Sequence, residues 1–186
     1  KKMIRLLLII TCLINIQGCA VNSVHDDNFY NKDRENQLIP SIWKMTGRIT
    51  IKHDDEALNA RIKWHQEGDK FICIISGSFG RTLATIEGTG TEITTIKGRE
   101  NISDIERIIN MDVLISDLRY WLLGQPNPAS PHKYLILDQN HHEFIQNKWQ
   151  IHINEFQTRN SYILPKNIQL TNSQFNLRLF IDNWQL

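Results

Sequence analysis

From Trp43 onward, apolar and polar residues alternate along the chain. In GRITIKH, Ile49 and Ile51 stand between Arg48, Thr50 and Lys52, and in LNARIKWH, Leu58, Ala60, Ile62 and Trp64 stand between Asn59, Arg61, Lys63 and His65. Period two is the repeat of a strand with one dry face, because successive side chains leave a pleated strand on opposite sides. The turn HQEGDK leads into FICIIS, an almost unbroken apolar run expected to be more deeply buried, and TLATIEG and EITTIKG extend the meander through Gly88 and Gly90. Alternation returns in KWQIHIN, where Trp149, Ile151 and Ile153 share one side. It continues through NIQL and FNLRLFIDNW with Ile168, Leu170, Phe175, Leu177, Leu179 and Ile181.

Between the two strand sets the period changes. Ser103 and Glu106 make an S-x-x-E capping box ahead of Ile105, Ile108 and Ile109, and Ser116 opens DLRYWLL, which Gly124 and Pro126 close. The predicted order is therefore about five or six strands, one or two short helices, then about four or five strands. A flat sheet would leave most of its dry face uncovered by such short helices. The expected fold is mainly β: one antiparallel sheet curled into an open, incomplete barrel, with short helices plugging its mouth and an apolar cavity inside.

The N-terminal end follows a different rule. Lys1, Lys2 and Arg5 precede LLLIITCLINI, which is shorter than the ~20 apolar residues of a membrane-spanning helix and fits the apolar core of a secretory signal. The run stops at IQGC, which resembles the lipobox at which bacterial lipoprotein precursors are cut and acylated on the cysteine, here Cys19. Residues 1–18 then read as signal peptide, 19–40 as lipidated cysteine and polar tether, and 41–186 as the folded domain. Ala20 stands where an aspartate in similar lipoproteins signals inner-membrane retention, so the expected location is the outer membrane, lipid-anchored and facing the periplasm. Of the three cysteines, Cys12 leaves with the signal and Cys19 carries lipid, so Cys73 has no partner for a disulfide. Removing residues 1–18 also takes away three basic residues and no carboxylate, leaving 18 basic against 20 acidic. That balance argues against a nucleic-acid partner.

Catalytic patterns are missing. SGSFG has serine where a G-x-S-x-G nucleophile elbow needs glycine, and no helix pattern follows it. EGTGTE lacks a third glycine and a following helix, so it is a turn rather than a phosphate cradle. Asp54 and Asp55 belong to a hairpin loop. His141 and His142 are adjacent, hence on opposite faces of a strand, and the other histidines fall on the wet face. All are expected to be solvated, with no metal site. No enzyme activity and no cofactor are expected.

The succession MTGRITIK, ARIKWHQ, SGSFG, DLRYWLLGQP, LPKNIQLT and IDNW resembles the LolB family of outer-membrane lipoprotein receptors over nearly the whole chain after the signal. The resemblance implies an open antiparallel barrel with helices in its mouth and an apolar cavity for acyl chains. It also implies a monomer that receives acylated lipoproteins from the periplasmic carrier LolA and inserts them into the outer membrane without chemical catalysis. On that reading Cys19 is the lipidation site, and Ile49, Ile51, Ile62, Trp64, Trp149, Ile151, Ile153, Leu177 and Leu179 are candidates for the acyl-chain surface. Phe79, alone among small and polar residues in SGSFGRT, is the candidate membrane-insertion tip. Where the family commonly has proline and then leucine in this loop, the chain has Ser78 and Phe79. Two alternatives are a lipocalin-like lipoprotein that holds a small apolar ligand or lipid, and an enzyme of envelope lipids.

Overall fold

The computed structural model describes residues 39–53, 55–77, 79–90, 92–98, 112–138 and 141–186, and the side chains of all of these except 112–116. The signal segment, Cys19, the tether up to residue 38 and the Ser103–Glu106 capping box lie outside the described residues.

Ten strands and one helix are described: β1 (Ile42–His53), β2 (Glu56–Glu67), β3 (Lys70–Ser76), β4 (Thr82–Thr89), β5 (Glu92–Gly98), α1 (Asp112–Trp121), β6 (His132–Leu137), β7 (His142–Gln146), β8 (Trp149–Arg159), β9 (Tyr162–Thr171) and β10 (Phe175–Gln185). They form one antiparallel sheet in the order β5-β4-β3-β2-β1-β10-β9-β8-β7-β6. The first and last strands therefore meet in the middle of the sheet. β5 and β6 are its two edges and do not pair with each other, so the barrel is open.

Alternation turns into layers once the register is known. Leu58, Ile51, Leu177, Leu170, Ile151 and Phe144 are successive partners across β2, β1, β10, β9, β8 and β7. Ala60, Ile49, Leu179, Ile168, Ile153 and His142 form the next row. Side chains in a row point to the same face, and the buried apolar ones join a single hydrophobic cluster on the concave side. The β1–β10 register slips between Thr46 and Gly47, a bulge that sharpens the local bend. Only glycine fits at its corner, because a Cβ on Gly47 would collide with the Phe180 carbonyl oxygen.

Two expectations change. The helix starts at Asp112, four residues ahead of Ser116. Ser116 is then an interior residue, at a cost of only a few tenths of a kcal/mol. FICIIS is also not buried on both sides: Phe71, Cys73 and Ile75 face the core, whereas Ile72 is 40% exposed and Ile74 half-buried on the convex side. The run is one dry face plus an apolar outer face.

Candidate functional site

The concave surface is built from the alternating strands upward. Each of Ile49, Ile51, Ile62, Trp64, Trp149, Ile151, Ile153, Leu177 and Leu179 is buried and belongs to the hydrophobic cluster. Six of them occupy the two rows described above, three in each. Ile62 follows in the next row, opposite Gly47 on β1 and Ile75 on β3.

Trp64 and Trp149 are placed apart. Trp64 sits in an aromatic stack across four strands, with ring centroids 6.2 Å from Trp43 and 5.0 Å from Phe71, while Trp43 lies 5.5 Å from Trp184. Two of the indole N–H groups at this end are satisfied, Trp64 Nε1 donating to Gln66 Oε1 and Trp184 Nε1 to the Pro165 carbonyl. Trp149 instead opposes Gln146 at the start of β8 and meets Trp121 of α1 at 6.3 Å. Trp43 and Trp184 complete the stack, and only their place in the alternation could have pointed to them.

The helix lies against this surface through its C-terminal end, with Trp121, Leu122 and Leu123 buried. Gly124, at φ +82°, ends it: the Gly124 N–H donates to the Trp121 carbonyl and the Gln125 N–H to the Tyr120 carbonyl. These two bonds make a Schellman cap, which needs the left-handed conformation that glycine adopts without strain. Arg119 reaches Asp69 in the β2–β3 turn at 2.8 Å, tying the helix to the sheet's rim.

A buried polar network holds the chain leaving the helix, and sequence reasoning missed it. The Asp117 carboxylate accepts from Asn127 Nδ2 at 2.7 Å and from Asn147 Nδ2 at 2.6 Å. Gln146 Oε1 accepts from Trp121 Nε1 and the Asn127 N–H, and its amide donates to the Asn127 and Ser130 carbonyls. Buried polar groups are tolerable when each is matched in this way. His142 is a second departure. It is 4% exposed rather than solvated, with Nδ1 3.5 Å from the Gly124 carbonyl and its ring 4.7 Å from Phe156. β7 turns its first residue inward, where it joins the row of Ile153 and Ile168.

Burial pushes the Cys73 thiol up to about 12, so it stays protonated and unreactive. No group of three His, Cys, Asp or Glu side chains able to hold a metal occurs among the described residues.

Phe79 behaves differently from every other large apolar residue described, being 101% exposed. Its loop is a closed support: the Gly77 N–H donates to the Arg81 carbonyl, the Gly80 N–H donates to the Gly77 carbonyl, and Gly80 has φ +75°. This is the hydrogen bonding of a tight three-residue hairpin connection with glycine in the left-handed position. The ring is thereby held off the domain rather than folded back on it.

The profile of the family described as "Outer membrane lipoprotein LolB" matches residues 41–184. The outer-membrane lipoprotein LolB of Tolumonas auensis is 26% identical over 100% of this chain and 98% of its own length, and that of Nitrosococcus oceani is 29% identical over 77% of this chain and 76% of its own. Among solved structures, a LolA superfamily protein from Nitrosomonas europaea aligns over 86% of this chain and 93% of its own, with TM-score 0.47 and 11% identity. With the family profile spanning the whole sheet from β1 to β10, the chain belongs to the LolB family of outer-membrane lipoproteins.

Proposed function

We propose that this protein, anchored through an acylated Cys19, takes lipoproteins from the periplasmic carrier LolA and releases them into the outer membrane with no chemical step. The observation that carries this reading is an open sheet whose concave face carries two rows of mostly aliphatic side chains, together with a hairpin that holds a fully exposed Phe79. A triacylated lipoprotein carries roughly 40 methylenes, and exposing them to water would cost about 30 kcal/mol at ~0.8 kcal/mol each. The chains must therefore pass between apolar surfaces in direct contact. Ile49, Ile51, Ile62, Trp64, Trp149, Ile151, Ile153, Leu177 and Leu179 supply the receiving surface, and the bilayer is the deeper sink. Phe79 acts at delivery, where burying its ring in the interface adds up to ~3 kcal/mol.

The test separates reception from delivery. Carrier loaded with lipoprotein is mixed with this protein without membrane, and liposomes are added afterwards. Phe79→Glu should accept cargo as the unaltered chain does and insert it poorly. Insertion at the unaltered rate would remove Phe79 from delivery, and cargo that stays on the carrier would refute the acceptor function.

A further inference from the structure

The charge balance of the whole chain conceals a segregation that appears only when the strands are paired. On the convex side of the three central strands, Lys44, Arg48 and Lys52 of β1, Arg61 and Lys63 of β2 and Arg178 of β10 all point outward and are exposed. The carboxylates on the same face are Asp182, which pairs with Arg48 at 3.1 Å, and Glu67 at the end of β2. Arg48 and Arg61 are direct cross-strand partners, an opposition of like charges that costs stability. Lys44 faces His65 and Thr46 faces Lys63. The other half of the sheet is built differently: Lys166 pairs with Glu155 at 2.6 Å and His152 with Glu143 at 3.2 Å.

The basic face is also partly apolar. Phe180 is 45% exposed beneath the Arg48 guanidinium, whose carbon lies 5.7 Å from its ring centre. Ile72 and Ile74 join Lys44, Lys63 and His65 around a groove of about 270 Å³. The face runs to the foot of the Phe79 hairpin, since Arg61 is the register partner of Ser76, the last residue of β3.

We propose that the convex face of β10, β1 and β2 is a docking surface for anionic phospholipid headgroups. Charge complementarity selects an anion, and the spread of cations along the strands fits an array of headgroups better than one ligand. From Lys44 to Lys52 the row extends about 26 Å at ~3.3 Å per residue. Clusters of about four to eight Lys and Arg are what hold proteins on anionic leaflets. The interleaved Phe180 and Ile72, together with Phe79 beyond the same strands, choose a lipid surface over a purely acidic protein one. Contact through this face brings the foot of the Phe79 hairpin to the leaflet. The inference stands on the face itself and needs neither carrier nor cargo.

The experiment reads lysine acetylation rates by mass spectrometry for the full chain on phosphatidylethanolamine vesicles with and without about 30 mol% phosphatidylglycerol. Lys44, Lys52 and Lys63 should react at least about threefold more slowly on the anionic vesicles, with Lys133 and Lys166 unchanged. The protection should vanish near 1 M salt, where the screening length is ~3 Å. Arg61→Glu with Arg178→Glu should abolish it without lowering the thermal melt, since the change at 61 relieves the opposition to Arg48, and the paired glutamine variants serve if charge reversal disturbs folding. Equal rates on both vesicles, or protection that requires added carrier rather than anionic lipid, would overturn the proposal.

Discussion

Asp117 is almost completely buried, and it is satisfied by two side-chain amides rather than by a cation. Asp117→Ala would leave the amides of Asn127 and Asn147 without their acceptor, so a loss of about 2–4 kcal/mol is expected in urea unfolding. Loosening of the 125–130 segment, read by faster amide exchange, should accompany it, because Asn127 is held through the same network. Cys73 makes a contrasting prediction. Its thiol is raised from the usual value near 9 to about 12, so the folded state holds a proton that the unfolded state gives up earlier. The stabilisation is complete below pH 9 and is lost as pH rises through the window between those two values. Iodoacetamide should leave Cys73 unmodified in the folded protein near pH 8 and label it in denaturant. Rapid labelling of the native chain would mean that this part of the core opens readily.

The two aliphatic rows make a claim about elements, because neither exists within a single strand. If the rows are the receiving surface proposed above, Ile62→Lys and Leu177→Lys are expected to keep the sheet folded while lowering cargo retention by about tenfold. Thermal melts showing global loss of structure would assign those two positions to permanent core. What the chain disclosed before folding follows the same division. β1, β2, β8 and β10 were readable because each carries its own period-two pattern, and six of the nine acyl-surface candidates prove to be neighbours for that reason. Register was not readable, and everything that depends on it stayed hidden: the aromatic stack from Trp184 to Phe71, the inward turn of His142, and the opposition of Arg48 and Arg61. FICIIS misled because an apolar run says nothing about whether a second layer covers its outer side. The Asp117 network escaped because its members are scattered through three segments that only the tertiary fold brings together.

At the scale of the whole molecule, attachment and fold are expected to be separable. Placed behind a plain secretory signal, Cys19→Ala should leave the domain in the soluble periplasmic fraction with an unchanged melting curve, because stable anchoring takes two or more acyl chains. Outer-membrane fractionation of that variant would refute the lipidation site. The meeting of β1 and β10 in the middle of the sheet has a further consequence, in the order of events during biogenesis. Lys44 is the register partner of Gln185, so the first strand finds one of its two neighbours only when the last residues of the chain arrive. Until then the β1–β5 meander carries an unpaired central edge, and loop closure across nearly the entire domain must precede the final pairing. The pairing of β1 with β10 is thus expected to be the slow last step of folding.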